Sequence, residues 1–95
     1  MDLNNKSVIV TGGGSNIGRA IVLGFAAEGA NITIGNVDAE QAEAAATLAR
    51  KSGASACRVI KTDITDLAQV QAMFKAATDN FGGVDVLVNN AGWTS

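Results

Sequence analysis

The 95-residue sequence contains no histidine, no tyrosine and no proline, and its only cysteine is Cys57. Histidine and tyrosine are common proton-transfer groups, and the carboxylates and lysines that remain are scattered without an obvious pairing. A lone cysteine excludes a disulfide framework and a Cys/His zinc site, and its apolar surroundings in the sequence favour a core thiol over a nucleophile. We therefore assign no catalytic residue and no metal ligand to this sequence.

The sequence also lacks basic runs and long apolar runs. Seven Lys and Arg against nine Asp and Glu give a net charge of -2, which argues against nucleic acid and anionic membranes as partners. No run of about 18 apolar residues is present, and residues 1–7 contain no apolar targeting segment. These absences predict a cytoplasmic protein that does not span a membrane.

The apolar residues predict four strands that alternate with three helices. Residues 7–11 form a β-branched run with little alternation, as in a strand buried on both faces of a parallel sheet. Similar runs predict strands at 31–35, 57–61 and 84–89. The order β-α-β-α-β-α-β requires parallel strands joined by right-handed crossovers. The predicted fold class is therefore α/β, the first four strands of a Rossmann-type doubly wound sheet with strand order 3-2-1-4.

The helices are recognised by their periodicity and by their ends. The first ends at residues 28–29 and has apolar positions at Ile17, Ala20, Ile21, Gly24 and Phe25. The second covers residues 38–52, where good helix formers dominate. The third has an apolar stripe at Leu67, Val70, Phe74, Ala77 and Phe81. Asp38 with Gln41, and Asp66 with Gln69, fit capping boxes that begin the second and third helices.

A glycine-rich turn, TGGGSNIG at residues 11–18, joins the first strand to the first helix. Backbone N–H groups and the helix dipole at such a turn favour a phosphate. Gly12 permits the tight exit from the strand, Gly18 lets the helix pack close, and Asn16 lies where the backbone should approach a diphosphate. A second strand ending about 20 residues further on completes the dinucleotide-binding fingerprint. The P-loop alternative fails because no Gly-Lys-Ser/Thr ends the turn.

Three motifs together resemble the short-chain dehydrogenase/reductase family, and the resemblance covers the whole chain. TGGGSNIG at 11–18 resembles the family's TGxxxGxG turn, TDI at 62–64 resembles its Asp-Val adenine contact, and NNAG at 89–92 is identical to its fourth-strand motif. The resemblance implies a diphosphate and ribose site at Gly12, Ser15, Asn16, Ile17 and Gly18. It places Asp63 and Ile64 at the adenine, and Asn90, Ala91 and Gly92 at the nicotinamide-side ribose.

The sequence departs from the family pattern at two places. Asn16 stands where the family usually has glycine. Among residue types other than glycine, Asn best tolerates a positive φ. Asn36 stands where NAD-preferring relatives carry an acidic residue that bonds the adenosine ribose. NADP-preferring relatives place a cation at the positions of Ser15 or Val37. Since neither is a cation and Asp38 would repel a phosphate, NAD is the predicted cofactor, with NADP as the alternative.

The resemblance implies an oxidoreductase that transfers hydride between NAD(P) and an alcohol or carbonyl substrate. The family's catalytic Ser, Tyr, Lys and helix Asn would fall beyond Ser95, and an apolar fourth strand is normally covered by a fifth. We therefore expect residues 1–95 to be the N-terminal part of one NAD(P)-binding domain, inactive alone, from a homo-oligomeric protein. Trp93 would either contact substrate or pack under a following loop.

Two other classes remain as alternatives. A non-catalytic dinucleotide-binding or regulatory module would use the same glycine turn without hydride transfer. A flavodoxin-like or receiver-type domain would also place its site at the carboxyl ends of the strands. A receiver needs an acidic cluster after its first strand, whereas this strand ends in Thr11 and glycines.

Overall fold

The computed structural model of this protein describes residues 2–90. Its elements are β1 (Ser7–Thr11), α1 (Asn16–Ala27), β2 (Asn31–Asn36), α2 (Ala39–Lys51), β3 (Ala56–Lys61), α3 (Leu67–Phe81) and β4 (Val86–Asn89). All pairings between strands are parallel, and the strand order is β3-β2-β1-β4. The predicted α/β class and the strand order 3-2-1-4 are therefore confirmed.

The two central strands are buried on both faces of the sheet. On one face Val8, Val10, Ile32 and Ile34 form a core with the small residues of α1 and α2, and on the other Ile9 packs with α3. The residues of α2 in this core are Ala42, Ala45, Ala46 and Ala49. Alanine lets the helix lie close to the sheet, and the lack of alternation in β1 reflects burial on both sides.

The outer strand β4 is anchored at its beginning by reciprocal bonds with β1. The N–H of Ser7 donates to Asp85 Oδ2 at 2.8 Å, and the N–H of Asp85 donates to the Ser7 carbonyl at 2.8 Å. This contact fixes the register that pairs Val8 with Val86 and Thr11 with Asn89. Because of this register, β1 and β4 end at the same level of the sheet.

Two predicted helix faces differ from those observed. In α1 the buried residues are Gly18, Val22 and Ala26, whereas Ile17 is 69% exposed. In α3 Met73 and Ala77 are buried, whereas Leu67 is 70% exposed. Ile17 and Leu67 lie in the first turns of their helices, at the carboxyl edge of the sheet, where no strand lies beneath them. Their exposure follows from position along the helix, which periodicity alone does not give.

The predicted capping boxes form in part. Asp38 Oδ1 accepts the N–H of Gln41 at 3.0 Å, and Asp66 Oδ1 accepts the N–H groups of Ala68 and Gln69 at 3.0 and 3.3 Å. Neither glutamine side chain accepts the N–H of its N-cap: each Oε1 accepts from a residue at the end of the preceding strand, and Gln69 Nε2 also donates to the Asp66 carboxylate. Each N-cap is therefore as predicted, and each glutamine side chain is not.

Candidate functional site

The glycine turn folds back on itself between β1 and α1. Gly12 has a φ of 69°, and its N–H donates to the Gly35 carbonyl at 2.7 Å. Ser15 is the N-cap of α1, and its Oγ donates to the Gly12 carbonyl at 2.8 Å while accepting the N–H of Gly18 at 3.1 Å. One hydroxyl thus joins the start of the turn to the first turn of the helix.

At two glycines of the turn there is no room for a side chain. A Cβ on Gly18 would lie 1.9 Å from the Gly12 carbonyl oxygen, and the surrounding atoms are backbone. A Cβ on Gly14 would lie 2.9 Å from Asn36 Nδ2 and 3.0 Å from Gln41 Cγ. The turn therefore packs tightly against itself at Gly18 and against the end of β2 at Gly14.

Asn16 does not have the backbone conformation expected for it. Among residues 2–90 the only residue other than glycine with a positive φ is Asn5. Asn16 is the first residue of α1, directly after the N-cap, so its backbone belongs to the right-handed helix. The expectation that Asn replaces glycine there by tolerating a positive φ is wrong, because this position does not require one.

Several N–H groups of the turn are available to a ligand. The first N–H groups of a helix have no acceptor within that helix. Among residues 2–90, the N–H groups of Gly13, Gly14, Asn16 and Ile17 make no hydrogen bond, whereas those of Gly12, Ser15 and Gly18 do. Four donors at the positive end of a helix dipole form a suitable cradle for an anion such as a diphosphate.

The end of β4 is joined to this turn by side-chain hydrogen bonds. Thr11 Oγ1 donates to Asn89 Oδ1 at 3.0 Å and accepts the N–H of Asn90 at 3.0 Å. Asn90 Nδ2 donates to the Gly12 carbonyl and to Ser15 Oγ, both at 3.2 Å. The first two residues of the NNAG motif are therefore held against the glycine turn. Ala91, Gly92 and Trp93 lie outside the described residues.

Two clefts open beside the carboxyl ends of the strands. An open cleft of about 570 Å³ is lined by Ser15, Asn16, Ile17 and Asn90. A smaller one of about 180 Å³ brings Ile64 together with the ends of β1 and β4 and with apolar residues of α3. The larger cleft unites four residues that the sequence motifs had singled out from opposite ends of the chain.

Asn36 and Asp63 lie at the ends of β2 and β3. Asn36 is buried, and its Nδ2 donates to the Asp38 carbonyl at 2.7 Å and to Gln41 Oε1 at 3.4 Å. Asp63 is exposed, and its Oδ1 accepts from Thr65 Oγ1 at 2.7 Å and from the Thr65 N–H at 2.9 Å. These two bonds to Thr65 lower the pKa of Asp63, so its carboxylate is charged at neutral pH.

Exposed apolar side chains accumulate at this same edge of the sheet. Of the five large apolar side chains that are exposed among residues 2–90, three follow the ends of β1, β2 and β3: Ile17, Val37 and Leu67. Apolar surface around a few polar groups is typical of a small-molecule site. Of the three, the sequence motifs placed only Ile17 at the cofactor. From the sequence, Val37 aligns with a position where NADP-preferring relatives carry a cation, and Leu67 belongs to the apolar stripe predicted for the third helix.

Cys57 lies away from this edge, within β3. It is buried, and burial raises the pKa of its thiol to about 11, with a smaller opposing effect from Arg50. A thiol with a raised pKa is a poor nucleophile at neutral pH, which agrees with a role in the core. Within residues 2–90, no helix has the length and apolar character needed to cross a bilayer.

The sheet order and the glycine turn define a Rossmann-like α/β fold. The profile of the family described as short chain dehydrogenase matches residues 6–95. This chain belongs to the short-chain dehydrogenase family, and it corresponds to the cofactor-binding N-terminal part of that family. The family predicted from the three motifs is therefore confirmed.

Individual relatives extend this result. The chain is 44% identical over 91 residues to galactitol 2-dehydrogenase of Agrobacterium fabrum, covering 96% of this chain and 34% of that protein. It is 44% identical to D-threitol dehydrogenase of Mycolicibacterium smegmatis, covering 95% of this chain and 34% of the relative. A solved structure of NAD+-bound xylitol dehydrogenase superimposes with a TM-score of 0.91 at 34% identity, covering 98% of this chain and 35% of that one. The chain thus spans about a third of the length of these relatives.

Proposed function

We propose that this chain supplies the NAD-binding half of an oxidoreductase that transfers hydride between the cofactor and an alcohol or carbonyl substrate. The observation that carries the proposal is a set of four N–H groups that have no hydrogen-bond partner within residues 2–90, on Gly13, Gly14, Asn16 and Ile17, beside the cleft that also contains Asn90. A diphosphate fits this cradle because the donors lie at the N-terminus of α1 and Gly18 keeps the helix close.

Along this edge, each end of the cofactor would have its own residues. The diphosphate and its ribose would contact Gly12 to Gly18, through Gly12, Ser15, Asn16, Ile17 and Gly18. The adenosine would contact Asn36, Asp63 and Ile64, and the nicotinamide-side ribose would contact Asn90, Ala91 and Gly92. When bound, the nicotinamide supplies the hydride acceptor or donor, and the residues of this chain bind and orient it.

Charge favours NAD over NADP in this site. The adenosine end contains the ionised Asp63 and the Asp38 N-cap, and neither Ser15 nor Val37 provides a cation. An additional ribose phosphate would meet these carboxylates, and neither of the two positions at which NADP-preferring relatives carry a cation has an arginine or lysine to pair with it. The NAD+-bound xylitol dehydrogenase of the same fold supports this preference.

The substrate class follows from the relatives. Galactitol 2-dehydrogenase, D-threitol dehydrogenase and xylitol dehydrogenase are named for polyols, so we propose that the complete protein oxidises a CH–OH group or reduces the matching carbonyl. Residues 1–95 are proposed to be inactive alone, because the family's catalytic residues would lie beyond Ser95. A cytoplasmic location and a homo-oligomeric state remain predictions from the sequence.

Calorimetric titration of the chain with NAD+ and NADP+ tests the proposal. We expect one saturable site with tighter binding of NAD+. Asp63→Asn should weaken NAD+ binding about ten-fold, as for loss of a hydrogen bond to a charged group. Asp79→Asn is the matched control, because Asp79 is an exposed carboxylate near the other end of α3 that pairs with Lys75. A folded chain that binds neither nucleotide would overturn the proposal.

A further inference from the structure

The two residues proposed to contact adenosine are each bonded to a glutamine in the same place of the following helix. Gln41 is the third residue of α2, and its Oε1 accepts from Asn36 Nδ2 at 3.4 Å. Gln69 is the third residue of α3, and its Oε1 accepts the N–H of Asp63 at 2.8 Å. A glutamine at this position ordinarily bonds back to the N-cap N–H, so both side chains are directed toward the site instead.

Asn36 is held in one amide orientation by these contacts. Its Nδ2 carries two hydrogens, and the Asp38 carbonyl at 2.7 Å and Gln41 Oε1 at 3.4 Å accept from it. Gly14 packs on the same side, because a Cβ there would lie 2.9 Å from Nδ2. Oδ1 accepts no hydrogen bond from residues 2–90. Asn36 therefore presents an acceptor alone, like the acidic residue that NAD-binding relatives carry at this position.

Asp63 is held from two sides of the loop between β3 and α3. Gln69 Oε1 accepts a hydrogen bond from the Asp63 N–H. Gln69 Nε2 donates to Asp66 Oδ2 at 3.1 Å, and this bond fixes the glutamine against the N-cap of α3. Thr65 bonds the Asp63 carboxylate through its N–H and its hydroxyl. One carboxylate oxygen, Oδ2, accepts no bond within residues 2–90. The loop thus offers a charged acceptor with a fixed backbone.

We infer that Gln41 and Gln69 are positioning residues for the adenosine half of the cofactor, an inference that rests on the proposed function. Gln41 keeps the Asn36 amide turned so that Oδ1 accepts from a ribose hydroxyl, which makes Gln41 a determinant of the preference for NAD over NADP. Gln69 fixes the backbone of Asp63 and does not discriminate for or against the additional ribose phosphate of NADP. The two glutamines therefore have different effects on selectivity.

Substitution by methionine, which has a similar shape and no amide, separates these effects. Gln41→Met removes one of the two acceptors of the Asn36 amide and leaves only the Asp38 carbonyl to hold its orientation, so NAD+ should bind about three- to ten-fold more weakly and its advantage over NADP+ should shrink. Gln69→Met should weaken both nucleotides by a similar factor. Gln71→Met is the matched control on the exposed side of α3, and Gln41→Glu, which retains the acceptor, should preserve the NAD+ preference.

The measurements are the dissociation constants of NAD+ and NADP+ and the melting temperature of each variant. The inference is supported if Gln41→Met changes the ratio of the two constants and Gln69→Met and Gln71→Met do not. It is overturned if Gln41→Met leaves the ratio of the two constants as it is in Gln71→Met, whether or not both nucleotides bind more weakly, or if Gln69→Met binds both nucleotides as Gln71→Met does. Failure of the unsubstituted chain to bind either nucleotide overturns the proposed function, and the inference with it.

Discussion

The two halves of the proposed cofactor site are formed by different kinds of groups. The diphosphate half, at residues 11–18 with Asn89 and Asn90, consists of backbone and short side chains packed so closely that Gly18 has no room for a Cβ. The adenosine half, at Asn36 and Asp63, is held by the exposed side chains of Gln41, Thr65 and Gln69. Changes in the first half should therefore cost stability, whereas changes in the second should alter binding.

The difference has a physical origin in where each half lies. The glycine turn lies between the buried strand β1 and α1, and its glycines are themselves buried against neighbouring backbone and side chains. In the adenosine half Asn36 is the buried last residue of β2, whereas Asp63 and the side chains that hold it and Asn36 are exposed, so those side chains can be exchanged without opening a cavity. Selectivity between cofactors can vary more readily there than binding of the diphosphate.

The largest expected effect comes from Gly18→Ala. Its Cβ would lie 1.9 Å from the Gly12 carbonyl oxygen, and the nearest atoms are all backbone atoms of Gly12 and Gly13, which cannot easily move aside. We expect a loss of about 3 kcal/mol or more in the free energy of unfolding, measured by urea titration. Gly24→Ala is the control in the same helix, because nothing lies within 4 Å of a Cβ there, and it should stabilise by about 1 kcal/mol. Equal effects of the two substitutions would contradict the close packing of the turn.

A smaller loss is expected from Thr11→Val. The Thr11 hydroxyl joins Asn89 and Asn90 to the turn, so its removal should cost about 1 to 2 kcal/mol of stability and weaken NAD+ binding. Thr33→Val is the matched control, since Thr33 Oγ1 is buried without a hydrogen-bond partner among residues 2–90. That change should be neutral or stabilising. Chemical unfolding of both variants checks the contrast, and a destabilised Thr33→Val beside an unaffected Thr11→Val would reverse it.

In the adenosine half, Val37→Arg should change binding with little effect on stability. Val37 is 62% exposed, and an arginine there could pair with a ribose phosphate. We expect NADP+ to bind about ten-fold more tightly, with the melting temperature nearly unchanged. Val37→Met controls for length without charge. If the arginine variant left NADP+ binding as it is in the methionine variant, the alignment of Val37 with the phosphate position would be incorrect.

The smallest effect concerns the titration of Asp63. Thr65→Val removes the largest cause of its lowered pKa but leaves the backbone bond, so the pKa should move part of the way back toward its ordinary value of 3.8. A lowered folded-state pKa contributes stability above 3.8 that is lost as pH falls through the folded-state value. The contribution should therefore be smaller in the variant. NMR titration of the Asp63 carboxyl carbon measures the shift, and an unchanged pKa would show that the hydroxyl bond is not made.

Much of the fold was predictable because burial leaves a direct mark on sequence. The β-branched runs gave β1 and β2 to within a residue, and three motifs gave the family. The direction of individual side chains was harder to predict from the sequence. The sequence pattern of Asp38 and Gln41 is the same whether the glutamine side chain bonds to its N-cap or to Asn36. Only the position of the strand end distinguishes these two hydrogen bonds. Likewise, the exposure of Ile17 and Leu67 depends on where the sheet ends beneath each helix.

Amide NMR spectra of the chain during titration with NAD+ provide the most direct measurement of whether both halves form one site. We expect the N–H resonances of Gly13, Gly14, Asn16 and Ile17 to shift and saturate together with those of Asp63 and its loop, with a single dissociation constant. The N–H resonances of the last turns of α2 and α3 should not shift. Shifts confined to one half, or saturation of the two halves at different concentrations of NAD+, would contradict a single cofactor site along this edge.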